Sequence, residues 1–127
     1  MSSFVLNVTF DCADPGAVAR FWAAVTGWPL HAEGTWDGHE EYRVGPPAEG
    51  GMRLYFVGVP EPKVVKNRLH LDVVPHDRSQ QEEIARMVQL GASVADAQPA
   101  DAGWVILADP EGNEFCVEGG SPTGPPS

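Results

Sequence analysis

At 127 residues and 43% apolar content, the chain is long enough to bury a core but too short for two ordinary domains. Eighteen acidic against eight basic residues give a net charge of −10, which argues against nucleic acid or an anionic membrane as partner. No apolar run approaches membrane-spanning length, and the start MSSFVLNVTF lacks the basic cluster and cleavage pattern of a signal peptide, so a cytoplasmic protein is expected.

The segment Phe4 to Cys12 reads as a strand, with Phe4, Leu6, Val8, Phe10 and Cys12 on one face and Val5, Asn7, Thr9 and Asp11 on the other. Asp14 then caps a helix with Pro15 at its first position, and Gly27 ends it. Val18, Phe21, Trp22 and Val25 fall at helical spacing and form one apolar stripe, which reads as helix-to-sheet packing. Cys12 shares the helix-packed face and reads as structural. Leu30 to Val44 contains Trp36-Asp37-Gly38-His39, a hairpin signal. Gly45 to Gly51 is a loop, and Met52 to Val57 a strand with Met52, Leu54 and Phe56 on one face.

Pro60 to Lys66 carries two prolines that forbid a helix, so it reads as an extended connector between halves. Asn67 to Val74 is the next strand, with Leu69, Leu71 and Val73 inward and Arg68, His70 and Asp72 on its polar face. Ser79 to Glu82 is a capping box; Ile84, Met87 and Val88 give the helical stripe and Gly91 the stop. Ser93 to Ala97 reads as a short strand and Ala100 to Gly103 as a turn. Trp104 to Val117 forms a hairpin around Asp109-Pro110-Glu111-Gly112-Asn113, where Pro110 presets φ and Gly112 and Asn113 tolerate positive φ. Phe115 and Val117 point to the core; Glu114, Cys116 and Glu118 point the other way. The expected organisation is one domain over 1–119, as modules over about 1–60 and 67–119, with a disordered tail over 120–127.

The halves echo one another. Leu6-Asn-Val-Thr matches Leu69-His-Leu-Asp, Ala19-Arg20 matches Ala85-Arg86, and Glu49-Gly50 matches Glu111-Gly112, all displaced by about half the chain. Asn7 then corresponds to His70, and Leu54 to Cys116. Four such positions, related by a pseudo-twofold axis, would face one cleft.

Val8-Thr-Phe-Asp-Cys-Ala-Asp-Pro15 with Phe21-Trp22, Asn67-Arg-Leu-His-Leu-Asp72 and Asp109-Pro-Glu-Gly-Asn-Glu-Phe-Cys-Val117 resemble the vicinal oxygen chelate superfamily. Its members include glyoxalase I, extradiol dioxygenases, fosfomycin-resistance proteins and bleomycin-binding proteins. The resemblance implies an α+β fold in which two βαβββ modules form a curled mixed sheet, an incomplete barrel with helices outside and a cleft inside. It also implies a small-molecule ligand and a homodimer.

Metal-using relatives place a ligand at each of four positions, matched here by Asn7, Leu54, His70 and Cys116. Leu54 coordinates nothing, and the remaining oxygen, nitrogen and sulfur make a poor cage, so no metal cofactor is favoured. A divalent metal, if held, would take Asn7, His70 and Cys116. The favoured reading is a glyoxalase-like protein binding a small organic molecule without the usual metal, as an acid/base lyase or isomerase. His70 is its acid/base, with Asp72 or Asp11 orienting the ring. Asn7, Thr9, Leu54, Phe56, Arg68, Glu114 and Cys116 would contact the ligand, and Trp36, Tyr55 and Trp104 would border it. The alternatives are a sequestering protein of bleomycin-resistance type and a divergent metal-dependent lyase or dioxygenase.

Overall fold

The computed structural model describes residues 2–98 and 103–119. The chain divides between Lys63 and Val64 into two compact units. The first unit contains β1 (Asn7–Cys12), α1 (Pro15–Thr26), β2 (Leu30–Trp36), β3 (His39–Val44) and β4 (Arg53–Gly58). The second contains β5 (Asp72–Val73), α2 (Gln80–Leu90), β6 (Ser93–Val94), β7 (Trp104–Ala108) and β8 (Glu114–Glu118). Each unit folds its strands into one mixed four-stranded sheet, ordered β1-β4-β3-β2 in the first and β5-β8-β7-β6 in the second. In both, the first strand runs parallel to the last and the other pairings are antiparallel. The α+β expectation and the βαβββ repeat therefore hold. No helix among the described residues is long and apolar enough to cross a membrane.

Local chemistry sets the element ends. Asp14 Oδ1 accepts from the Ala17 N–H at 3.1 Å, Pro15 starts α1, and Gly27, at φ 74°, donates its N–H to the Ala23 carbonyl. Asp37 and Gly38 both take positive φ, 51° and 78°, as a two-residue hairpin turn between β2 and β3 requires. In α2 the capping box closes both ways: Ser79 Oγ accepts from Glu82 N–H at 3.1 Å, and Glu82 Oε1 accepts from Ser79 N–H at 2.8 Å. The hydrogen bond from the Ser79 N–H, and then the Ser79 side chain, hold the Glu82 carboxyl below its ordinary pKa.

The first core lies between α1 and its sheet. Val18, Phe21 and Trp22 are buried, and Phe10 stacks on Phe56 with ring centroids 4.9 Å apart. Cys12 is buried here too, on the helix-covered face. In the second unit Met87, Leu107, Phe115 and Val117 are buried.

Several expected elements are shorter than the sequence implied. Residues before Asn7 are outside β1, and Phe4 and Val5 are exposed. The predicted strand Asn67 to Val74 contracts to Asp72–Val73, and Leu69 is exposed instead of inward. Side chains replace the ladder there: Glu114 accepts from the Asn67 N–H at 3.0 Å, and Asn67 Nδ2 donates to Asn113 Oδ1 at 3.2 Å. In α2, Val88 is exposed while Glu83 is buried. That burial is tolerable because Arg86 Nε donates to Glu83 Oε1 at 2.7 Å. The loop Gly45 to Gly51 contains a short 3-10 turn, Ala48–Gly50. The predicted strand Ser93 to Ala97 keeps only Ser93–Val94; beyond it, the Gln98 side-chain amide donates to the Ile106 carbonyl at 2.7 Å and accepts its N–H at 2.9 Å. The expected turn at 100–103 falls largely, and the tail at 120–127 wholly, outside the described residues.

Candidate functional site

Strand alternation builds the site in the second unit. Phe115 and Val117 of β8 are buried in the core, so Glu114, Cys116 and Glu118 project from the other face. The register sets Glu118 opposite Trp104, Cys116 opposite Ile106 and Glu114 opposite Ala108 on β7. On the other side, Asp72 of β5 pairs with Cys116. The hairpin is held by Asp109, whose carboxylate is buried and accepts from the backbone N–H groups of Glu111 at 2.9 Å and Asn113 at 3.0 Å. Thus one sheet face carries acidic, aromatic and thiol side chains together.

A cleft of about 390 Å³ lies on this face. Ile106 and Trp104 give it an apolar side; Lys66, His70, Asp72, Glu114, Cys116 and Glu118 give it polar groups. His70 Nδ1 lies 3.4 Å from Asp72 Oδ1, and both side chains are about half exposed. Of the two carboxylates expected to orient the imidazole, Asp72 is therefore the one at ion-pair distance. With Nδ1 turned to Asp72, Nε2 is the nitrogen left to meet a ligand.

Cys116 is buried at the back of the cleft, with its thiol pKa pushed up. Burial is the largest cause, followed by the Asp72 charge and hydrogen bond and the Glu118 charge, with Lys66 opposing them. Raising the pKa suppresses thiolate at neutral pH, so Cys116 is a poor nucleophile here. Its alkylation by iodoacetamide, followed by peptide mapping, should lag behind a free thiol at every pH below its raised pKa. Asp72→Asn should bring the rate profile to lower pH; an unchanged profile would mean that Asp72 exerts no field on the thiol.

The first unit presents a different polar face. Asn7, Thr9 and Asp11 of β1 stand opposite Arg53, Tyr55 and Val57 of β4. Arg53 is buried and donates from Nε to Asn7 Oδ1 at 2.6 Å. Tyr55 donates its hydroxyl to Glu41 Oε1 at 2.6 Å; burial first, and then this carboxylate, raise its pKa to about 12. Thr9 and Asp11 are exposed. Leu54 and Phe56 are buried, and Phe56 stacks with Phe10 on the helix-covered face, so both leave the list of ligand contacts.

The repeat explains the slip. Phe115 and Val117 correspond in burial to Leu54 and Phe56. Parallel pairing matches Asp72 with Cys116 and Thr9 with Tyr55, so the counterpart of Cys116 is Tyr55, one residue beyond Leu54. Arg53 is what sequence reasoning missed on this face, and Tyr55, expected only to border the ligand, takes the register position given to Leu54. The alternation Arg53-Leu-Tyr-Phe56 held the signal. Arg68 is exposed and is not among the residues lining the second-unit cleft, and Trp36 is likewise exposed.

A family model for the glyoxalase-like domain matches residues 7–118, nearly the whole described chain. The chain belongs to this glyoxalase-like family. It is thereby a member of the vicinal oxygen chelate superfamily. Solved structures share the fold of this glyoxalase-like domain. The fosfomycin resistance protein FosX from Mesorhizobium loti is 15% identical at a TM-score of 0.70, over 95% of this chain and 94% of its own. A FosX variant from Listeria monocytogenes, in complex with Mn(II) and 1S,2S-dihydroxypropylphosphonic acid, is 14% identical at 0.72, over 95% of each chain. The glyoxalase I of Leishmania major is 14% identical at 0.64, over 92% of this chain and 86% of its own. No curated protein matches the chain.

The Mn(II) of the Listeria relative sets a test for the glyoxalase-like domain's own donors. Ligand atoms of His70, Asp72 and Cys116 lie within 4.8 Å of one another. This trio offers one nitrogen, one oxygen and one sulfur, a set suited to a thiophilic ion such as zinc and unsuited to a hard six-coordinate one. Asn7, the other expected ligand, has its amide oxygen engaged by the Arg53 guanidinium. The residues present do not fit a manganese centre of the kind in that relative, and no chemical step is routed through one.

Proposed function

We propose that this glyoxalase-like domain binds a small organic molecule in the cleft of its second unit and moves a proton on it through His70, as a lyase or isomerase. The observation that carries this reading is the His70–Asp72 pair converging on a cleft with an apolar side. Its volume of about 390 Å³ falls within the ordinary range for small-molecule sites. Asp72 fixes the ring from Nδ1, and Nε2 takes or gives the proton. Glu114 and Cys116 line the ligand, while Asp11, Asn7 and Thr9 hold no assigned step. The reading needs no hard divalent metal. It also takes the protein as cytoplasmic and as a homodimer, with no nucleic-acid or membrane partner, in keeping with the net charge of −10.

The test is an NMR screen of small organic compounds against the isotope-labelled full chain. Ligand-induced shifts should cluster at His70, Trp104, Ile106 and Cys116; shifts confined elsewhere would overturn the site. For a compound that is turned over, His70→Gln should lower the rate by about 10²–10⁴-fold while binding persists. If His70→Gln changes affinity alone, and wild-type protein turns nothing over, the protein sequesters its ligand as the bleomycin-resistance reading holds.

A further inference from the structure

We infer that the ligand of the second-unit cleft is an organic cation, an amine, quaternary ammonium or guanidinium carried on an apolar or aromatic body. This rests on the reading above that the cleft holds a small molecule, and adds its chemical class.

The register supplies the first argument. Trp104 and Glu118 are directly opposed on β7 and β8 and so share one face, with Ile106 and Cys116 the next pair along. Trp104 is 40% exposed and lines the cleft, so its indole is accessible there. An accessible aromatic face beside a carboxylate is the arrangement that attracts an organic cation, through the ring quadrupole and the ion pair together. Ile106 beside it offers contact to an apolar body.

The charges around the cleft supply the second. Asp72, Glu114 and Glu118 line it against a single ammonium, Lys66. Lys66 Nζ donates to the Asn67 carbonyl at 3.3 Å, which directs it toward the backbone. Glu114 accepts from the Asn67 N–H, a bond that orients its carboxylate without cancelling the charge. Three carboxylates against one ammonium leave the lining an excess of negative charge. At Cys116, which lines the same cleft, burial and then Asp72 and Glu118 disfavour the thiolate, and Lys66 opposes them most weakly. An anionic ligand would meet repulsion from the same groups. A bare metal dication would leave the Trp104 and Ile106 side unused.

Three probes of similar size separate the possibilities: benzyltrimethylammonium, benzyl alcohol and phenylphosphonate. Each is titrated into the labelled full chain, with the Trp104 indole N–H as reporter. Benzyltrimethylammonium should shift that signal and bind about tenfold more tightly than benzyl alcohol, with phenylphosphonate weakest. Glu118→Gln, a nearly isosteric change, should weaken the cation about fivefold and leave benzyl alcohol unchanged. Added salt should weaken the cation selectively. If benzyl alcohol or phenylphosphonate binds at Trp104 as tightly as the cation, the charge class is wrong while the small-molecule cleft stands. If none of the three moves the signal, both the class and the cleft reading fall.

Discussion

Phe56→Ala is expected to destabilise the first unit by about 3–5 kcal/mol, the range for truncating a fully buried aromatic side chain. Phe56 has no solvent exposure. Its ring stacks on Phe10, and Phe10 in turn meets the Trp22 indole of α1 at 5.8 Å. Removing the ring leaves a cavity in the contact between sheet and helix that two rigid aromatic neighbours cannot refill. Urea denaturation of wild type and variant measures the effect as a fall in midpoint at nearly constant slope. A loss under about 1 kcal/mol would place Phe56 on a yielding or open face, and the assignment of the two β4 faces would be wrong.

Asp109→Ala is expected to cost the second unit about 3 kcal/mol, because its buried carboxylate accepts several hydrogen bonds at once. The donors are the Glu111 and Asn113 N–H groups and Asn113 Nδ2, the last reaching both carboxylate oxygens at 3.1 and 2.9 Å. Bonds to a charged acceptor are the stronger kind, and alanine leaves these donors to find water in a tight turn. Asp109→Asn keeps one acceptor oxygen and should lose about half as much. Thermal melting reports the total, and amide exchange at Glu111 and Asn113 reports the location. Unchanged exchange at those amides would mean that the β7–β8 ladder alone holds the turn. Since this turn sets the register of Glu114, Cys116 and Glu118, the variant should also disturb the cleft.

What was legible in the sequence was largely local. Asp14-Pro15, Ser79 with Glu82, Gly27, Gly91 and Asp37-Gly38 declare their structure within a few residues, and each stands where it was expected. His70 and Asp72 come together as their two-residue spacing suggested, although only Asp72 lies within β5. Pairing between distant strands was harder to read. Leu54 was set against Cys116 by a constant displacement, but the loops before β4 and β8 differ in length, and the sheet register selects Tyr55. The short β5 depends on side chains of Asn113 and Glu114 that lie more than forty positions away. Buried Arg53 defied polarity-based reading because its partner, Asn7, is brought into place only by the fold, whereas buried Glu83 pairs with Arg86 one turn along its own helix.

The Gln98 amide has a consequence for how the protein behaves in a crowded solution. β6 covers only part of β7: the Ile106 carbonyl accepts from the Ala95 N–H at 3.0 Å, but the Ile106 N–H would be left as an open donor for a strand from another molecule. Gln98 occupies both groups from within its own chain, as an incoming strand would. The sheet margin at Ile106 is thereby closed by the Gln98 side chain together with the Ala95 N–H, and edge-to-edge aggregation is denied a starting point at that residue.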